Sequence, residues 1–371
     1  MLSATTFSVC MKKAIFKRYG LLLWLGLCTS VFAQNPEIKR DSIKIKTQPL
    51  FASDDILHVK VVADFKAIQK DRGDTPSYHE ALLTYVDNQG DSVQLPVKIR
   101  VRGNFRRNSA NCNLPPLLLN FPEKKTDKTL FKNQDKLKLV TRCRFEEYVP
   151  QEYMVYKLYN LLTDYSFRAR LAQITYEDAA GKRKAETSQG FIIEDEEALA
   201  NRHRTAIRSK ETKTSMALTN REGMATVAVL EYMIGNTDWS VPYQHNIKLL
   251  EQASGLPMPV AYDFDHAGIV EASYATPAPE LNLHTTRERL YRGLAYPEDV
   301  FQKVFENFNR AKPQIYALYE GNPNLNPAYV KRTLKYFDDF YKLINSPGAA
   351  KSAFMSKQSK GKEVVIKGLN N

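Results

Sequence analysis

The period of the hydrophobic pattern changes part-way along the chain. From Ile56, the apolar residues Leu57, Val59 and Val61 alternate with polar ones, the two-residue period of a half-buried strand. Ala81-Leu-Leu-Thr-Tyr-Val86 is a second such run. Asp87-Asn-Gln-Gly90 has hairpin-turn chemistry, and Leu95-Pro-Val-Lys-Ile-Arg-Val-Arg102 follows in strict alternation. With residues 117–121 and 136–141, these runs predict a mostly antiparallel sheet. The spacing then lengthens. Residues 152–162 carry Tyr153, Tyr156, Leu158, Tyr159 and Leu162 at helical intervals. Strands follow at 169–176 and 189–194, around the Ala179-Ala-Gly-Lys182 turn. An apolar helix over 225–234 ends at Gly235, and two strands near 246–250 and 260–264 flank a Gly/Pro turn. Further helices are expected over 297–311 and 327–344. Strands first and helices later predict an α+β fold, an antiparallel sheet in the N-terminal part and helices in the C-terminal part, as one domain over 56–345.

The flanks have other characters. Met11-Lys-Lys begins a positive stretch, Leu21-Leu-Leu-Trp-Leu-Gly-Leu-Cys28 is apolar, and Val31-Phe-Ala33 supplies small residues where a signal peptidase cuts. Residues 1–33 therefore read as a signal peptide. The alternative, a membrane anchor, needs a run of roughly 20 apolar residues, which this one does not reach. Residues 34–55 read as a flexible mature N-terminus and 346–371 as a disordered basic tail. The expected protein is exported, periplasmic or secreted, with no transmembrane segment once the leader is gone.

Composition refines this picture in two places. The 371 residues carry 53 Lys plus Arg against 41 Asp plus Glu, a formal charge of +12. The leader holds four of those positive charges and no acid, so its removal leaves +8, a moderate excess that does not require nucleic acid as a partner. Removal of the leader also leaves only Cys112 and Cys143. Two cysteines in an oxidising compartment suggest one disulfide; two separate buried thiols remain the alternative.

Candidate chemistry lies in the second half. Gly235-Asn-Thr-Asp-Trp-Ser-Val-Pro-Tyr-Gln-His-Asn246 is a loop by composition. Asp238 can orient and deprotonate a hydroxyl nucleophile, and the Asn246 carboxamide can ligate Mg²⁺; a turn cap and local backbone hydrogen bonding are the bland alternatives. In Ala261-Tyr-Asp-Phe-Asp-His-Ala-Gly268, an extended backbone over 260–265 would set Asp263 and Asp265 on one face. Two such carboxylates suit Mg²⁺, Mn²⁺ or Ca²⁺, or else a balancing Arg or Lys. Arg287, Arg289 and Arg292 read either as phosphate contacts or as structural partners of Glu280 and Glu288.

The order of these motifs resembles the CotH family of atypical protein kinases. Arg100-Val-Arg-Gly-Asn-Phe-Arg-Arg107 is similar to the family's early Arg-Gly-Asn motif. Lys136-Leu-Lys-Leu-Val-Thr141 and the helix after it resemble its next strand and helix. Gly190-Phe-Ile-Ile-Glu-Asp195 resembles the strand that ends in an acid, and Asn236-Thr-Asp238, Asn246 and Asp263-Phe-Asp265 resemble its catalytic and metal-binding elements. The resemblance spans roughly residues 95–268 and implies an atypical kinase-like fold. By carry-over, Asp238 is the catalytic base, while Asn246 and Asp263, with Asp265 as an additional ligand, hold Mg²⁺ or Mn²⁺ with ATP. The family's lysine-rich stretch is replaced here by Cys112-Asn-Leu-Pro-Pro-Leu-Leu-Leu-Asn120. Phosphate binding then falls to Lys136 or Lys138, or to Arg100 or Arg102, of which Lys138 and Arg102 are the expected pair. The implied partners are a nucleotide and a protein substrate of the cell envelope, with phosphate transferred to Ser or Thr. The competing expectation is a non-catalytic envelope binding or assembly protein.

Overall fold

The structure is a computed structural model that describes residues 45–122, 125–253 and 255–356. The expected signal peptide, residues 34–44 and the 357–371 part of the tail lie outside the described residues. Among those described, no helix is long and apolar enough to cross a membrane.

Strand β1 (Leu57–Ala63) is followed by a short helix, α1 (Phe65–Lys70), then by β2 (His79–Val86), β3 (Ser92–Val101), β4 (Leu117–Asn120) and β5 (Lys136–Val140). Helix α2 (Tyr148–Leu162) precedes β6 (Ala169–Asp178) and β7 (Glu186–Ile193). These seven strands close in the order β1-β2-β3-β4-β5-β7-β6. The expected antiparallel sheet of atypical-kinase type is therefore corrected: the N-terminal part is a closed, mixed barrel. Closure comes from β1 and β6, which pair in parallel from Leu57 opposite Ala172 to Ala63 opposite Asp178. Alternation along each strand announces which side chains point inward, and Leu57, Val59, Val61 and Ala63 do. It is silent on which distant strand completes the hydrogen bonding. Closure removes the edges that an open sheet would expose.

The barrel interior is filled by its own apolar side chains, among them Val61, Ile99, Leu117, Leu137 and Ile174. Gly190 lies where β7 crosses tightly over its neighbours: a Cβ there would sit 2.5 Å from Ile174 Cδ1 and 2.8 Å from the Val140 carbonyl oxygen. Glycine is required by close approach at this point.

A second core lies outside the barrel. Helices α3 (Glu196–Arg202) and α4 (Arg221–Ile234), the ribbon β8 (Ile247–Leu250) and β9 (Met258–Ala261), and helices α5 (Glu298–Tyr319), α6 (Pro327–Ile344) and α7 (Pro347–Met355) follow in order. Helix α2 is buried over most of its circumference and belongs to this second core while packing on β6 and β7. It is thus the element that both halves share, as an all-round buried helix must be. The α6 limits are those predicted, and Tyr329, Phe337, Phe340, Tyr341 and Ile344 are buried on it.

Two flanking expectations change. Leu50, within the stretch read as flexible, is fully buried in a short 3-10 turn over Pro49–Phe51. Residues 347–355, read as disordered tail, form α7, and Phe354 is fully buried against Phe301, Phe305, Tyr232 and Tyr291. A single aromatic has no periodicity to announce it. What orders this segment is the apolar socket it meets, and that exists only after folding.

Candidate active site

Helix α4 is capped by Asn220 and stopped by Gly235, whose φ of +71° is the left-handed conformation that ends helices. The chain then turns through residues 236–246 before entering β8. In that loop the Asn246 carboxamide Nδ2 donates to the Asp238 carbonyl oxygen at 2.7 Å and to its carboxylate Oδ2 at 3.1 Å. The donor half of the amide is thereby committed to Asp238, and its oxygen is turned away. His245 Nε2 lies 2.9 Å from Asp238 Oδ1. Burial disfavours the charged imidazole, but the Asp238 hydrogen bond and charge outweigh it and raise the His245 pKa.

The expected extended backbone over 260–265 does not form. Strand β9 ends at Ala261, and Asp263 adopts a φ of +63°. Its N–H donates to the Tyr156 hydroxyl of α2 at 2.9 Å, which holds the conformation in place. Gln244 and Asn246 also have positive φ, +45° and +53°. A non-glycine residue held in this left-handed region costs on the order of 1–3 kcal/mol, less for Asn and Asp, which tolerate it best.

The strand stops before both acids, and their surroundings differ. Asp265 is buried, and its Oδ2 accepts from Arg106 Nε at 3.0 Å and from the Tyr274 hydroxyl at 3.2 Å. Arg106 Nη2 in turn donates to Glu152 Oε2 at 2.8 Å. Burial pushes the Glu152 carboxyl up to about 8, with Arg106 opposing the shift. Asp263 remains partly accessible. Burial raises its pKa first and the Asp265 charge second; Arg102 and Arg106 pull it down, and Asp238 pushes it up again.

Lys138 enters from β5. Its Nζ lies 5.1 Å from the centre of the Tyr262 ring, which Lys248 of β8 also faces at 5.7 Å. Burial, followed by the charge of Arg102, lowers the Lys138 pKa to about 8, with Glu196 and Asp263 opposing. Lys248 is itself buried and ion-paired to Glu196.

Asp238, Asn246, Asp263, Asp265, Lys138 and Arg102 are thus linked to one another, whereas Lys136 pairs with Asp135 and Arg100 lies over the Tyr78 ring. Asp238 and Asn246 are bonded directly, and Asp263 feels Asp238, Asp265 and Arg102, while Lys138 feels Arg102 and Asp263. Cys112 and Cys143, with sulfurs at bonding distance and Cα atoms 4.7 Å apart, tie the loop after Arg106 to the segment that leads into α2 and Glu152. The arginines of 287–292 serve structure. Arg287 pairs with Glu271, Arg289 donates to the carbonyls of Met233 and Tyr336, and Arg292 donates to those of Thr237 and Trp239, on either side of Asp238.

Sequence reasoning missed Arg106, Glu152, Tyr274 and Lys248. Arg106 stood within the motif already singled out, and Glu152 stood among aromatics on a helix too apolar to leave it solvated. A charge in that setting needs a partner, and the charge itself was the available signal.

Among the described residues, no group of three or more His, Cys, Asp or Glu side chains is arranged to hold a metal ion. No protein-family model matches the chain, and no curated protein matches it. The CotH resemblance therefore rests on the ordered motifs alone.

Proposed function

We propose that the protein is exported, binds Mg-ATP between the barrel and the helical part, and transfers phosphate to a Ser or Thr hydroxyl of envelope or secreted proteins. The observation that carries this reading is the convergence of Asp238, Asn246, Asp263, Lys138 and Arg102, drawn from four separate stretches of sequence. Asp238 accepts the proton of the attacking hydroxyl, and Asn246 fixes that carboxylate by its hydrogen bond. Lys138 and Arg102 meet phosphate charge. Asp263 and the Asn246 oxygen would hold Mg²⁺, which when bound neutralises charge on the transferring group. The raised pKa of Asp263 supports this, because an under-compensated carboxylate gains most from a divalent cation. The Cys112–Cys143 pair supports an oxidising compartment.

The test is thermal stabilisation by Mg-ATP of the wild type and of Asp263→Ala, with phosphate transfer measured in Asp238→Ala. Stabilisation is expected in the wild type alone, and transfer is expected to vanish without Asp238. A wild type indifferent to Mg-ATP removes the nucleotide.

A second reading, a non-catalytic binding protein of the envelope, is favoured by one observation. Asp265, expected to assist the metal, commits Oδ2 to Arg106 and Tyr274. Mg-ATP binding without turnover would select it.

A further inference from the structure

Helix α4 is apolar along its buried length, with Val227, Leu230, Met233 and Ile234 fully or almost fully enclosed, yet it carries Glu231 at 1% exposure. Among the described residues no hydrogen bond of full geometry reaches either oxygen of that carboxyl, and the hydrogen-bonding group that acts on it is the Asn236 carboxamide. A buried carboxyl so weakly satisfied costs several kcal/mol, a cost that leucine or methionine of similar volume would not carry.

Its surroundings lead to the loop described above. The first polar group acting on the carboxyl is the Asn236 carboxamide. Asn236 is itself 1% exposed, and its Nδ2 likewise makes no hydrogen bond of full geometry. The other half of that amide is engaged: Asn236 Oδ1 accepts the Asp238 N–H at 3.0 Å. The backbones are joined as well, because the Asn236 N–H donates to the Glu231 carbonyl oxygen at 2.8 Å. An amide turned by a donor–acceptor pair of this kind has one orientation only, fixed by what lies at its Nδ2 end. An acceptor at that end keeps Oδ1 facing the Asp238 N–H.

We propose that Glu231 is a positioning residue for Asp238, acting through the Asn236 carboxamide. The inference rests on Asp238 being the base of the proposed reaction, but the linkage itself does not. The charged and titratable groups coupled to Glu231 are Asp238 and Arg292 from the loops and Tyr159 from α2. Burial pushes the Glu231 carboxyl up to about 8, so its charge appears within an accessible pH range, beside an Asp238 of the same sign.

Two measurements on the full-length protein test the inference. The first needs no nucleotide. In the 15N-labelled wild type, the Asp238 amide resonance is expected to show a titration step near pH 8 that disappears in Glu231→Gln, while the step due to His245 stays in both. An Asp238 amide with no step near pH 8 in the wild type, or with the same step in Glu231→Gln, overturns the linkage whether or not the protein binds ATP. The second compares phosphate transfer in Glu231→Gln, which keeps an acceptor oxygen, with Glu231→Leu, which does not. Glu231→Leu is expected to lower kcat at least tenfold with the Mg-ATP dissociation constant within twofold, and Glu231→Gln to restore kcat while losing the change in rate near pH 8. Equal kcat in the two variants overturns the positioning role. A linked amide in a wild type that transfers no phosphate overturns the role in catalysis and leaves the nucleotide-free linkage as the result.

Discussion

Replacing Arg106 with methionine removes the one guanidinium shared by two buried acids. The side chains of Arg106, Glu152 and Asp265 are 9%, 1% and 10% exposed, so water cannot substitute for the lost partner. Breaking a buried pair by removing one member costs about 3–5 kcal/mol, because the remaining charge stays desolvated. That is roughly two to four decades in the folding constant. Proton uptake limits the loss. Glu152 already sits at about 8 with Arg106 pulling it down, so without Arg106 it rises further and stays neutral, leaving Asp265 to bear most of the cost. Urea unfolding of the wild type and Arg106→Met at pH 7.5 and pH 5.5 measures both effects. A guanidinium lost from beside buried carboxylates leaves their charged form less favourable, so the gap between the proteins should be wider at pH 7.5 than at pH 5.5. A gap below about 1 kcal/mol at pH 7.5, or one that widens in acid, would refute the triad as the anchor of Asp265.

Three other outcomes are expected. Asp263→Asn should raise the melting temperature of the ligand-free protein at neutral pH, since it removes a charge that burial and Asp265 disfavour; it should also abolish the ~2.7 kcal/mol of stabilisation expected in the wild type from Mg-ATP at about a hundred times its dissociation constant, if the proposed site binds it. Reducing the Cys112–Cys143 disulfide, which closes a separation of 31 residues, should cost about 4 kcal/mol in a denaturant titration on the chain-entropy argument, and an unchanged midpoint would count against that account. Glu231→Gln should flatten the fall in stability between pH 4.5 and about 8. In the wild type the unfolded carboxyl ionises through that window while the folded one stays protonated, a loss of up to about 4–5 kcal/mol, so parallel stability–pH curves for the two proteins would disprove it.

The local pattern was enough to place most elements. The alternation in 57–61 and 95–101 became β1 and β3, and the aromatic stripe of 327–344 became α6 without a change of boundary. These are properties of a residue and its near neighbours, and period alone reports them. The candidate site residues stand out in the sequence for a related reason. Asp238, Asn246, Asp263 and Lys138 are polar residues set against apolar runs, and their order along the chain carries the resemblance. Three things were decided only by tertiary structure. Parallel pairing of β1 with β6 joins segments more than a hundred residues apart, and no local period encodes a partner at that distance. The left-handed turn at Asp263 depends on a hydroxyl supplied by Tyr156 of α2, so the strand ends earlier than its own alternation implies. The buried charges Arg106, Glu152 and Glu231 acquire meaning only when folding removes water from them, because desolvation is a property of the assembled interior and not of any stretch of sequence.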